Sequence, residues 1–343
     1  MQQLQHLMKI LVTGGTGYIG SHTIVDLIEN GFDVVCADNF HNSRPQALDG
    51  IEAITGIRVK NYKVDLADRA ATLEMFHQEK FDGAIHFAAY KQVGESVDKP
   101  LAYYRNNLNS LVNVVEGLAE QGSSNLVFSS SCSVYGNADE LPVTEATPRK
   151  LAESPYALTK QIGEDILTDY CKNRPEFKAI LLRYFNPAGA HSSGEIGEDP
   201  SNPAASLVPV ITSTAAGKRS GMTVFGTDYD TRDGSCVRDY IHVEDLAHAH
   251  TLALQYVMAG KSEDNPSLFN LGIGEGLTVL EAINAFEKVS GEKLDYKLGP
   301  RRAGDVIAVY ADRSKATNEL GWEPKRGVEE IMASAWAWEK KLG

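Results

Sequence analysis

The chain has 343 residues, 43% of them hydrophobic and 23% charged, with 46 acidic against 33 basic side chains and a formal charge of −13. That balance suits one large or two modest globular domains with a sizeable core. It argues against general binding to nucleic acid or an anionic membrane, so any anionic ligand must be held by local Arg, Lys and helix N-termini.

Cys36, Cys132, Cys171 and Cys236 are widely spaced, with no Cys-x-x-Cys pair. His248 and His250 stand two apart and diverge on a helix, so no metal site is expected. The thiols are read as reduced and the protein as cytosolic. No stretch approaches the roughly 18 apolar residues of a membrane span. "MQQLQHLMK" lacks the charged-then-apolar plan of a signal peptide, and residues 1–7 are expected as an unstructured extension.

The elements begin with "KILVTGG", a strand, and "YIGSHTIVDLIENG", a helix closed by Gly31. Between them Gly14, Gly17 and Gly20 stand three apart. Glycine lets the backbone turn sharply and approach a pyrophosphate, whose charge suits a helix N-terminus. A tight turn alone would also use glycine, but strand, loop, helix and a following acid together point to a dinucleotide. That acid is Asp38, 18 residues beyond Gly20 at the end of the second strand, "DVVCAD". Its carboxylate can accept both ribose hydroxyls and repels a 2′-phosphate; with Asn39 and Phe40 following instead of Arg, NAD is expected over NADP. Capping of the next loop is the competing role for Asp38.

"VKNYKVDLAD" holds the third strand and ends near Asp65, where adenine is expected. "FDGAIHFAA" is the fourth; Ala88 and Ala89 are small enough to pack against a cofactor, and Lys91 offers a cation. A long helix, "LAYYRNNLNSLVNVVEGLAEQG", carries Asn106. The fifth strand, "NLVFSSS", ends in three hydroxyls, either because serines suit a strand-to-loop junction or because one faces a reacting group. "AILLRYFNPAGA" is the sixth. Runs apolar throughout, alternating with helices, imply an α/β fold: a Rossmann-like, doubly wound parallel sheet. From about residue 186 Gly, Pro, Ser and Asp crowd the chain. This predicts a cofactor domain over 8–185 and a smaller mixed α/β substrate portion over 186–343, some segments of which cross back.

"SPYALTK" places Tyr156 and Lys160 four apart, on one helical face. An ammonium beside a phenol lowers its pKa from about 10, letting the tyrosine remove or return an alcohol proton. Of the 14 tyrosines, Tyr156 alone has a lysine four residues on. Its place just after the serine strand carries the reading, because one such pair is expected by chance.

Together "TGGTGYIGS", "FSSSCSVYG", "SPYALTK" and "RYFNPAGA" resemble the extended short-chain dehydrogenase/reductase family. With "DNF", "IGEDP", "VRDYIHV" and "RRAGD" in the same order, the resemblance narrows to its UDP-glucose 4-epimerase branch and runs from about Met8 to Trp338. It implies an isomerase that inverts carbon 4 of UDP-glucose and UDP-galactose through a 4-keto sugar, with NAD as a resident catalyst. Catalysis would fall to Ser131, Tyr156 and Lys160. NAD contacts are implied from the glycine loop with Tyr18 and Ile19, and from Asp38, Asn39, Asn42, Ser43, Asp65, Leu66, Phe87, Ala88, Ala89, Lys91, Asn106, Ser129 and Phe185. UDP-sugar contacts are implied from Asn186, Ser206, Leu207, Thr223, Phe225, Arg238, Tyr240, Val279, Arg302 and Asp305. Arg238 and Arg302 suit a diphosphate through their guanidinium forks, with surface solvation as the alternative. Ser129 is expected to line the cofactor and Ser130 only to satisfy backbone.

Two departures from the family pattern stand out. Ala205 and Ser206 replace a common Asn-Asn, and Val309 occupies a position that is bulky Tyr in some relatives. A valine leaves room for an N-acetyl group, so UDP-N-acetylhexosamines are expected as further substrates. The resemblance also implies a homodimer through the helices of "YYRNNLNSLVNVVEGL" and "YALTKQIGEDILTDY". Rival readings are a 4,6-dehydratase, disfavoured because "SCSVYG" lacks an acid, an alcohol dehydrogenase releasing NADH, and a non-catalytic NAD-binding scaffold.

Overall fold

A computed structural model describes residues 7–199, 206–301 and 306–342. Its first half runs β1 (Lys9–Thr13), α1 (Tyr18–Glu29), β2 (Asp33–Ala37), α2 (Gln46–Thr55), β3 (Lys60–Tyr62), α3 (Arg69–Gln78), β4 (Gly83–His86), α4 (Val93–Asp98), α5 (Pro100–Glu120), β5 (Asn125–Ser131), α6 (Pro155–Asn173) and β6 (Lys178–Tyr184). The second half adds β7 (Asn186–Ala188), α7 (Leu207–Ala215), β8 (Met222–Phe225), β9 (Val237–His242), α8 (Val243–Met258) and β10 (Ser267–Leu271). It ends with β11 (Gly276–Thr278), α9 (Val279–Ser290), β12 (Tyr296–Gly299), β13 (Ala308–Val309) and α10 (Val328–Lys341).

The central sheet has seven strands in the order β10-β6-β5-β4-β1-β2-β3, each pair parallel. Because strand side chains alternate, each strand feeds two cores. Ile10 and Val12 of β1 pack with Ile24 and Leu27 of α1 and with Leu246 and Ala253 of α8. Leu11 points the other way, to Phe76 of α3, Leu111 and Leu118 of α5 and Leu167 of α6. Burial on both faces explains why these runs are apolar without alternation.

Strand order reverses between β1 and β4, so the loops after their C-terminal ends part and leave a crevice there. Three differences from the sequence reading shape it. The third strand stops at Tyr62, so Asp65 sits in the loop beyond it. The sixth run breaks at Phe185: β6 stays in the central sheet, while β7 pairs with β9 in a second, four-stranded sheet. The chain then returns, with "SLFNL" of β10 pairing against β6 as an edge strand the sequence reading did not assign. The smaller layer of β7, β9, β11 and β13, with α7, α9 and α10, encloses its own core around Ile283, Phe286, Ile331 and Met332. Among the described residues no helix is long and apolar enough to cross a membrane, and all four cysteines are free.

Candidate active site

A cavity of about 830 Å³ opens between the C-terminal edge of the central sheet and the smaller layer. Every NAD-contact residue named from the sequence lines it, from Gly14 to Phe185. So do Ser131, Asn186, Ser206, Leu207, Thr223, Phe225, Arg238, Tyr240 and Val279. Arg302, Asp305 and Ala205 lie outside the described residues. Val309 is not in the wall; it is buried behind it, in a cluster with Val134, Tyr135 and the lining Phe185.

At one end the backbone of the glycine loop passes close to that following β4. Gly14 has φ +68°, and a Cβ on it would stand 2.9 Å from the Ala88 nitrogen. A Cβ on Gly20 would stand 2.3 Å from the Gly14 carbonyl oxygen. Helix α1 begins there with no side-chain cap and no acid in its first turn, which leaves its N-terminal N–H groups and dipole to an anion. Asp38 makes the loop-organising bonds weighed as its competing role, and it also lines the cavity where a ribose would be met. Its Oδ1 accepts from the Phe40 N–H at 2.8 Å and the Ser43 hydroxyl at 3.0 Å, and its Oδ2 from the Thr16 N–H at 3.2 Å. These bonds hold Phe40 in the left-handed region at φ +61°. This end therefore fits a dinucleotide: bare backbone for the pyrophosphate and an oriented carboxylate for ribose hydroxyls.

In the middle stand Ser131, Tyr156 and Lys160. Ser154 caps α6, accepting from the Ala157 N–H at 3.2 Å, and Pro155 occupies the first turn, so the helix starts just where Tyr156 is needed. Burial pushes the Tyr156 phenol up to about 12, against the pull of the neighbouring Ser131 hydroxyl. Lys160 does not lower it as the sequence reading expected. Its Nζ lies 5.9 Å from the Tyr156 ring centre and donates to the Ser129 carbonyl at 2.5 Å, and burial pushes the ammonium down to about 8. Desolvation outweighs the pairing of the two groups.

The serine strand divides its work by alternation. Ser129 and Ser131 line the cavity, and the Ser129 hydroxyl is hydrogen-bonded to the Tyr184 phenol. Ser130 points away and donates to Glu164 Oε1 at 2.5 Å, so its partner is a carboxylate and not the backbone expected for it.

At the far end Asn186 of β7 is the register partner of Tyr240 on β9. Arg238, two residues earlier on the same strand, reaches the cavity while donating to the Val237 carbonyl at 2.9 Å. Asp239 points the opposite way and accepts from the Ile273, Gly274 and Ala311 N–H groups at 2.8, 3.0 and 3.1 Å. Helix α7 opens onto the cavity at Ser206 and Leu207 with no side-chain cap.

Sequence reasoning missed Tyr184, read only as core strand, and a strap over residues 195–199. The strap is fastened by Lys91 to Glu198 at 3.1 Å, Arg44 to Asp199 at 2.9 Å and the Trp338 indole N–H to the Glu198 carbonyl at 3.0 Å. "IGEDP" gave its place, but its partners lie far off in sequence.

A doubly wound sheet with a glycine cradle, an acid on the second strand and a Tyr–Lys helix defines a dinucleotide-dependent enzyme of the short-chain dehydrogenase type. Residues 10–272 match the family model for the NAD dependent epimerase/dehydratase family, and the chain belongs to that family. It is 47% identical over 332 residues to the UDP-glucose 4-epimerase of Bacillus subtilis, covering 97% of each chain. The UDP-glucose 4-epimerase of Bifidobacterium longum, solved in complex with NAD+ and UDP, superposes with a TM-score of 0.93 at 44% identity, covering 97% of this chain and 98% of that one. A UDP-Glc/GlcNAc 4-epimerase from Campylobacter jejuni superposes at 0.83 with 39% identity, covering 97% and 99%.

Gly20→Ala tests the cradle. The added methyl forces the loop to shift at a cost on the order of 1–3 kcal/mol, equivalent to about five- to 150-fold weaker NAD binding. Isothermal titration on the folded variant should show this, and unchanged affinity would overturn it.

Proposed function

We propose that the protein interconverts UDP-glucose and UDP-galactose by inverting carbon 4, with NAD held as a resident cofactor, in galactose metabolism in the cytoplasm. One observation carries the reading: a single cavity joins the glycine cradle and Asp38, the Tyr156–Ser131–Lys160 group, and Asn186, Phe225 and Arg238. The likeness to UDP-glucose 4-epimerases over nearly the whole chain supports it. Residues 8–185 then form the cofactor half and 186–343 the UDP-sugar half, with α8 and β10 lent back to the first.

NAD bound in the cradle supplies an acceptor and donor of hydride, so that carbon 4 is oxidised to a ketone and reduced again on its other face. The chain supplies the proton chemistry and the grip. The Tyr156 phenol takes the proton of the 4-hydroxyl and returns it. Ser131 holds the same oxygen; its own hydroxyl is oriented by the Ser133 N–H, which donates to it at 3.2 Å. Lys160 adds positive charge beside the oxygen as the proton leaves. Arg238 and the open first turn of α7 grip the diphosphate, leaving the hexose tethered at one end. Between grip and base the wall presents Phe225, Tyr240 and Val279, whose broad faces let the ketone turn over without breaking a polar network. No carboxylate occurs in the turn Cys132–Tyr135 that follows Ser131, which argues against elimination. In a coupled assay on UDP-galactose without added NAD the protein turns over, and Tyr156→Phe lowers the rate about 10²–10⁴-fold. Wild-type turnover by that variant, or stoichiometric release of NADH, would refute the assignment.

A second substrate class, UDP-N-acetylhexosamines, is favoured by the compact Val309 behind Phe185. UDP-N-acetylglucosamine should be converted, and Val309→Tyr should depress that conversion more than conversion of UDP-glucose. No turnover at millimolar substrate, or an equal loss on both, counts against it.

The same reading includes a homodimer. Leu101, Leu108 and Val112 on α5, and Leu158, Ile162 and Ile166 on α6, turn an apolar face outward from two adjacent helices; Leu101 is 74% exposed. Such a face suits a four-helix seam. Light scattering should give twice the chain mass, falling to one chain for Ile162→Arg; a wild-type monomer or an unaffected variant would exclude this seam.

A further inference from the structure

Behind the cavity lies a buried ion pair that none of the roles above uses. Glu164 and Arg183 are 2% and 5% exposed. Arg183 sets Nε on Glu164 Oε1 at 2.8 Å and Nη2 on Oε2 at 2.6 Å. Ser130, the register partner of Arg183 on β5, donates to Oε1 at 2.5 Å, and Arg149 Nη1 reaches Oε2 at 3.5 Å. An apolar pair of similar volume is often as stable as a buried ion pair, so stability alone does not account for these four donors around one carboxylate.

Position does. Glu164 stands one helical turn beyond Lys160 and two beyond Tyr156, on the same face of α6. Its three closest donors come from the penultimate residues of β5 and β6, Ser130 and Arg183, next to Ser131 and Tyr184. We propose that Glu164 is a positioning residue for the carbon-4 reaction. With Ser130 and Arg183 it locks the helix bearing Tyr156 and Lys160 to the strand bearing Ser131, and its charge keeps Lys160 an ammonium. The proposal rests on the function assigned above.

The surroundings of Lys160 leave few other sources for that charge. On its own helix are Tyr156 and Glu164; β4 contributes His86, held neutral by burial at about 3; β6 contributes Tyr184 and Arg183. From α4 and α5, Glu95 and Tyr103 bond to one another at 3.0 Å. At the outer edge Arg149 pairs with Asp165 at 2.5 Å. Lys160 itself donates to a neutral carbonyl, and the Glu164 charge is what pulls it back up against burial. Arg183, a cation, pushes the opposite way.

The test uses the full chain with Glu164→Gln, which keeps the shape, removes the anion and leaves Arg183 without its partner. Both changes disfavour the ammonium, so Lys160 should lose its proton at a pH about one unit lower. Two readouts report this: the alkaline limb of kcat on UDP-galactose, and an NMR titration of 13C-labelled lysine Cε, with Lys160 identified by its loss in Lys160→Arg. Turnover should fall about tenfold or more as the alignment loosens, with KM nearly unchanged because Glu164 does not line the cavity. Glu164→Gln combined with Arg183→Met removes both charges. It should leave the Lys160 midpoint between those of the single variant and the wild type while kcat stays low, and it serves alone if the single variant does not fold. A folded single variant with the wild-type midpoint, or a folded double variant with wild-type kcat, would overturn the proposal. Absence of turnover in the wild type would instead count against the assigned function, and the NMR midpoint would still report the coupling of Glu164 to Lys160.

Discussion

Burial works against charge on both members of the pair at the centre of this site, a phenol and an ammonium. Tyr156 is pushed up to about 12 and Lys160 down to about 8 by the same cause, so burial favours the pair in which neither group is charged. In such surroundings any further charge acts through a low dielectric and is felt strongly. That is why the anion one turn away, and the carbonyl that receives the Lys160 Nζ, matter as much as the two groups that name the motif. A solvent-exposed Tyr–Lys pair of identical spacing would have ordinary protonation behaviour and little use as an acid or base.

The site is assembled where two sheets share one segment of chain. Tyr184 ends β6 in the central sheet and bonds to Ser129 beside the cofactor end. Two residues later Asn186 starts β7 in the second sheet, further along the same cavity. Phe185 between them lines the cavity as the chain changes sheets. The two sheets are therefore coupled by backbone right after Tyr184, the register partner of Ser131. The return of α8 and β10 reinforces this: α8 packs its Leu246 and Ala253 under β1 and α1, and β10 covers the free edge of β6. The central sheet is not complete until residue 271 has been added.

Much of this was legible from residue order. The glycine loop, Asp38, the Tyr156–Lys160 face and the doubly wound sheet follow from local patterns whose partners are close in sequence. What escaped has a common physical origin. Ser130 looked like a junction residue because its partner, Glu164, is 34 positions away and charged. Tyr184 looked like core because a phenol that is both packed and hydrogen-bonded has no distinct local pattern. "SLFNL" is a short apolar run, and the open edge of β6 is what gives it a reason to be a strand. Val309 was placed by likeness in the pocket wall; it is buried instead in a cluster that includes the lining Phe185. The expected lowering of the Tyr156 pKa failed for the same reason in another form: spacing reveals which groups are neighbours and is silent on how much water they have lost.

Alternation along β5 then accounts for three consecutive serines without invoking three copies of one role. A strand that closes a catalytic cavity has one face toward the ligand and one toward the helix that carries the base. Small hydroxyls suit both faces at this edge. On the cavity side they leave room and offer hydroxyls, Ser129 hydrogen-bonded to the Tyr184 phenol and Ser131 lining the cavity with Tyr156. On the helix side a larger residue would hold α6 off, whereas Ser130 lets Glu164 approach to 2.5 Å. An alanine there would still allow the approach but would leave one carboxylate lone pair without a donor, which is costly in a buried position. The sequence Ser-Ser-Ser is thus the outcome of one steric limit applied to two faces: the strand must be thin wherever both a ligand and a catalytic helix come close to it.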